Sequence, residues 1–155
     1  MNIRVLTLSG FYLLLPLALW TFSISDAFAL QRGNVVIDGR VTIRVEVART
    51  AREQARGLGG RASLPRGEGM LFPFDAIERR TFWMKGMLIP LDIVWIQKEK
   101  IVAIDANIPP PQTHETPAVV RHVADLVLEV PAGFTREMNI GVGQTVRVTV
   151  EGGGR

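Results

Sequence analysis

Val41-Thr42-Ile43-Arg44-Val45-Glu46-Val47-Ala48 alternates apolar and polar residues without a break. Successive side chains of a strand point to opposite faces, so this stretch reads as a half-buried strand with Val41, Ile43, Val45 and Val47 inward. Immediately before it, Asp38-Gly39 is a hairpin signal, and Asn34 to Ile37 offers the partner strand. Immediately after it, Thr50-Ala51-Arg52-Glu53 has the form of a capping box. The Thr50 hydroxyl can accept from the Glu53 N–H while the Glu53 carboxylate accepts from the Thr50 N–H. A short helix through Gln54, Ala55 and Arg56 follows, ending near Gly57 or Gly59.

The remainder reads as more short strands. Met70 to Phe74, Thr81 to Lys85, Leu91 to Ile96, Ile101 to Ile104, His122 to Val130 and Gln144 to Glu151 are apolar or alternating. The segments Thr81–Lys85 and Leu91–Ile96 are expected to form a hairpin around Gly86 to Pro90. Pro109-Pro110-Pro111 opens an irregular stretch reaching about Arg121. Pro131 suits the first turn of a second short helix over Ala132 to Met138, where its missing N–H is not needed. Seven or eight strands, two short helices, no repeat and no linker give an α+β class, mostly β, with a compact curled or barrel-like sheet.

The start of the chain differs from the rest. Arg4 is followed by Val5 to Ile24 without a charge, then by Asp26-Ala27-Phe28-Ala29. A positive start, an apolar middle and an A-x-A end are the parts of a secretory signal, so residues 1–29 are expected to be removed and the protein exported to the periplasm or outside the cell. The alternative is an uncleaved membrane anchor, since the run is long enough to span a bilayer. The rest is one domain over residues 30–151 and a flexible tail over 152–155.

The formal net charge is +3 among 155 residues, and Arg4 and Asp26 cancel, so removal of the signal leaves it unchanged. The arginines are scattered, with no basic stripe for nucleic acid. There is no cysteine, so neither disulfides nor a lipoprotein anchor is available. Beyond residue 29 the chain has one serine, Ser63, no tyrosine, and two histidines, His114 and His122, which leaves few ways to build a catalytic triad or a zinc site. No cofactor or metal is expected; Cu(I) held by Met70, Met84, Met87, His114 and Trp83 is a minor alternative.

Glu53-x-x-Arg56-Gly57-Leu58, Arg61, Leu64-Pro65, Gly69-Met70-Leu71-Phe72, Phe82-Trp83-Met84-Lys85 and Ile89-Pro90-Leu91-Asp92-Ile93 together resemble the family called domain of unknown function 192. Leu128-Glu129-Val130-Pro131-Ala132-Gly133 and Gly141-Val142-Gly143-Gln144 extend the resemblance over nearly all of the chain after residue 29. It implies a compact, mostly β fold, often exported, with no established activity. The chain departs from the family's usual pattern at Gly59-Gly60-Arg61, where Met-Phe-Arg is usual, and at Gly86-Met87, where Asn-Thr is usual.

Asp92 is the most informative polar residue. It lies in Leu88 to Ile96, apolar on both sides of the period, as in a strand covered on both faces. A lone carboxylate there requires a cationic or hydrogen-bonding partner. Lys85, Arg61 and Arg80 are the cations nearest in the chain. One hairpin register sets Lys85 across from Asp92 with Trp83 on the same face; a register one residue off puts Met84 there instead. Asp92 is then either a buried strut or a ligand-facing acid, catalytic if the protein is an enzyme.

Trp83 and Lys85 alternate with the core-like Phe82 and Met84, and an aromatic wall beside a charge suits a sugar or a peptide. Arg56 and Arg61 flank the first helix's end, where they can cap its carbonyls or reach an anion. The leading expectation is a binding module for a small polar ligand or envelope component. Its site combines Trp83, Lys85, Asp92 and Arg61, with the loop 109–121 folding over it. An Asp92-based hydrolase or lyase and a structural partner pairing through an edge strand are the alternatives.

Overall fold

In the computed structural model, the structure describes residues 30–152. The expected signal segment and the last three residues of the expected tail lie outside the described residues. Strand β1 (Gln31–Ile37) and β2 (Val41–Val47) form the hairpin read from the alternation, with Ile37 paired to Val41. Asp38 and Gly39 hold φ of 49° and 65° in the turn, a region Asp tolerates and Gly adopts freely. Val41, Ile43, Val45 and Val47 are all buried. The capping box is present, with the Glu53 N–H donating to Thr50 Oγ1 at 3.2 Å and the Thr50 N–H donating to Glu53 Oε2 at 2.8 Å. It starts α1 (Ala51–Arg56), which Gly57 ends with a positive φ.

Strand β3 (Glu68–Trp83) merges what reads in sequence as two strands, broken in register between Pro73 and Glu78. It is followed by β4 (Leu91–Gln97), β5 (Lys100–Ile108), β6 (Val119–Pro131), α2 (Phe134–Glu137) and β7 (Val146–Val150). The sheet order is β5-β4-β6-β3-β2-β1-β7. The expected hairpin between the Trp83 and Asp92 strands does not form, because β6 lies between β3 and β4 and pairs with both. Neither expected register therefore exists. The second helix also starts later than expected: Pro131 ends β6, and Gly133, at φ 78°, turns the chain into α2.

The seven strands curl into a half-barrel whose edges meet at a bridge between Lys100 and Thr145. One core fills the inside, built from Val35, Ile43, Val94, Ile96, Leu128, Val130 and their neighbours. A second lies on the opposite face of β3, β4 and β6, with Met70, Phe72, Ile93, Trp95 and Val127. The two central strands are thus covered on both sides, which explains the unbroken apolar run of β4.

The pair β2–β3 is the sheet's parallel one and needs a crossover. That crossover carries α1 and Leu58 over the second core. The Gln54 side-chain amide ties α1 down by donating to the carbonyls of Ala48 and Pro73 at 3.2 and 3.1 Å. Among the described residues no helix is long and apolar enough to cross a membrane.

Candidate functional site

Two buried carboxylates lie one strand apart and meet opposite fates. Asp92 on β4 pairs with Val130, while Glu129 on β6 pairs with Ile93. Alternation sends them to opposite faces: Asp92 goes inside with Val94 and Ile96, and Glu129 goes with Val127 into the second core.

Asp92 is fully buried and, among the described residues, paired with no cation. Its Oδ1 accepts the N–H of Asn107 at 2.8 Å and of Gly133 at 3.0 Å. Its Oδ2 accepts the Thr135 N–H at 3.0 Å and the Thr135 hydroxyl at 2.6 Å. Burial pushes the carboxyl's pKa up, but the Thr135 hydroxyl and the three backbone donors outweigh it and hold the value below the usual range. The expected cation is replaced by this ring of donors, which pins α2 and the end of β5 to β4. Lys85, Arg61 and Arg80 all lie elsewhere. Arg61 pairs with Glu46 on β2. Arg80 stacks its guanidinium 4.1 Å from the Phe74 ring centre and donates to the Ala76 carbonyl.

Glu129 has no such compensation. It is 6% exposed, its Oε2 carries no hydrogen bond, and among the described residues no ion pair reaches it. Burial alone raises its pKa to about 8, so the carboxyl is mostly protonated at neutral pH. β3 runs tight against β6 here: a Cβ on Gly69 would lie 2.5 Å from the Glu129 carbonyl oxygen. Glu129 is among the residues lining a cleft of about 170 Å³ between α1 and β3. Phe72, Phe74, Phe82, Leu58 and Met87 supply apolar walls, and Arg56, Trp83 and Lys85 also line it. Trp83 is 59% exposed, and the Lys85 ammonium sits 5.6 Å from its ring centre, in cation–π range.

Of the four residues singled out in the sequence, the structure therefore brings together two, Trp83 and Lys85. Asp92 faces the other side of the sheet, and Arg61 borders a separate groove with Arg32, Arg44 and Glu68. No residue of the loop 109–121 lines the Trp83 cleft. Sequence reasoning missed Glu129, although the signal used for Asp92 was present: one acid within the apolar run Leu126 to Val130. Met70, Met84 and Met87 are packed in the second core, and His114 is exposed in its loop. His122 lies 3.2 Å from Asp105 Oδ2, which also accepts the Trp95 indole N–H at 2.7 Å. Among the described residues no group of three or more His, Asp or Glu is placed to hold a metal ion.

The chain is 35% identical to a protein of unknown function from Novosphingobium aromaticivorans, with a TM-score of 0.69 over 79% of this chain and 89% of that one. It is 25% identical to a proposed transcription regulator from Sinorhizobium meliloti, with a TM-score of 0.65 over 76% of this chain and 92% of that one. No curated protein matches it. The family model described as an uncharacterised group, "Uncharacterized ACR", matches residues 34–148, and the chain belongs to this family, DUF192.

Proposed function

We propose that the protein is an exported, non-catalytic binding module that holds a small polar ligand, of the sugar or peptide class, in the cleft between α1 and β3. One observation carries this reading: Glu129, whose buried Oε2 has no hydrogen-bond partner, lines a cleft walled by aromatic rings and edged by two cations. An unpaired buried polar group is costly, and a ligand that completes its hydrogen bonds recovers that cost. Trp83 offers a flat apolar surface, and Lys85 and Arg56 offer charge. The cleft is smaller than the roughly 300–1,000 Å³ of drug-sized sites, which limits the ligand to about one sugar ring or one amino-acid residue.

Asp92 leaves this site and serves as a strut; Glu129 takes its place. Export rests on the A-x-A segment ending at Ala29.

A ligand-shift thermal melt against monosaccharides, amino acids and dipeptides tests the reading. A ligand of one of these classes should raise the melting temperature of the wild type and not of Trp83→Ala. Equal shifts in both would remove the cleft from consideration. A catalytic reading has one observation in its favour, since a carboxyl with a pKa near 8 suits a general acid at neutral pH.

A further inference from the structure

Resting on the binding reading above, we infer that the cleft recognises a small zwitterion with an apolar body, its ammonium group against Glu129 and its carboxylate against Lys85 and Arg56. The cleft holds charges of both signs that do not pair with each other. Glu129 is the acid lining it, and Arg56 and Lys85 are its cations. Arg56 comes from the last turn of α1, and Lys85 from the segment after β3. The strand neighbours flanking Glu129, Met70 and Ile93, are apolar, so no other charge approaches it from the sheet. Neither cation reaches Glu129 or any other acid as an ion pair among the described residues, and both are exposed. Acid and bases thus share one cleft without satisfying each other. A molecule with an ammonium at one end and a carboxylate at the other satisfies both ends, and Phe72, Phe82 and Met87 leave its middle an apolar surface.

The chemistry implies a proton balance. In the empty cleft the Glu129 carboxyl holds its proton. An arriving ammonium stabilises the carboxylate, so the O–H proton passes to solvent and an ammonium–carboxylate pair forms. Affinity therefore rises with pH, by up to about tenfold per unit, until Glu129 is already ionised in the empty protein. A neutral sugar accepting a hydrogen bond from the protonated acid would show the reverse: flat affinity at lower pH and weaker binding once the acid ionises.

Titration calorimetry on the full chain separates these cases. L-leucine is the probe, measured at pH 6.5 and 7.5 in phosphate and in Tris. Leucine is expected to bind with release of close to one proton and with affinity several-fold higher at pH 7.5. Leucinamide, lacking the carboxylate, and N-acetylleucine, lacking the ammonium, should each bind at least tenfold more weakly. Glu129→Gln should abolish proton release, and Lys85→Ala should erase the preference for leucine over leucinamide. Leucyl-glycine and glycyl-leucine tell a free amino acid from a peptide end. If glucose or N-acetylglucosamine binds through Trp83 without proton release, the zwitterion is wrong and the binding module stands. If neither class binds, both readings fall.

Discussion

At the scale of single residues, the same side-chain chemistry takes two opposite roles because of what surrounds it. Asp92 is ionised in the dark of the sheet because four donors converge on it. Hydrogen bonds to a charged group contribute about 1.5–3 kcal/mol each, against a desolvation cost of similar size. Asp92→Asn keeps the shape but loses the charge and turns an acceptor toward donors as a donor. It should destabilise the fold by about 3 kcal/mol, measured by urea denaturation near pH 7.

The two acids also give opposite pH dependences. Asp92 has a folded pKa below its ordinary 3.8, so its contribution is complete above about pH 4 and is lost as pH falls through the folded value. Glu129 has a folded pKa of about 8 against an ordinary 4.5. Between those values the folded protein keeps a proton that the unfolded chain has released, so stability declines as pH rises from about 4.5 to 8. Glu129→Gln removes that penalty. Its melting temperature should exceed that of the wild type at pH 8, by an amount corresponding to at most roughly 5 kcal/mol, and converge with it near pH 4. A variant that melts lower than the wild type at pH 8 would mean Glu129 is ionised and paired.

At the scale of elements, the site exists because a parallel strand pair needs a crossover. The hairpin β1–β2 closes in three residues, but β2 and β3 run in the same direction, so the chain must travel the length of the sheet between them. The short helix on that path, started by Thr50 and stopped by Gly57, brings Arg56 over the outer face of β3. Close approach of β3 to β6 then sets the floor. Gly69→Ala would drive a methyl into the Glu129 carbonyl, which backbone cannot easily yield. It is expected to cost about 2 kcal/mol or more in denaturant melts and to weaken any ligand bound in the cleft, whereas Gly60→Ala, with open space around it, should leave binding unchanged.

At the scale of the whole molecule, the half-barrel carries an inner core and an outer core on either side of its central strands. The inner one is sealed by α2, which Asp92 holds; the outer one is covered incompletely by α1 and the residues around Met87, and the cleft is the remaining gap. The proposed export, read from the A-x-A segment ending at Ala29, would place the protein where small polar solutes enter. Expression of the full chain should yield a mature form whose N-terminus, read by mass spectrometry, is Leu30; retention of residues 1–29 on a membrane-bound product would favour the anchor instead.

Local pattern was enough for the parts that depend on neighbours in the chain. The alternation of Val41 to Val47, the Thr50–Glu53 box, the doubly covered run around Asp92 and the opposed faces of Phe82 and Trp83 all follow from the two- and 3.6-residue periods. Pairing partners do not. Nothing local to Trp83 or Asp92 says that β6 (Val119–Pro131), far along the chain from both, inserts between their strands. That insertion separated Asp92 from Lys85, supplied donors from Asn107, Gly133 and Thr135, and turned Glu129 toward Trp83. Sequence determined most of the apolar core, because burial largely follows hydropathy. Only the tertiary structure decided which buried acid is satisfied, because that depends on donors brought together from distant parts of the chain.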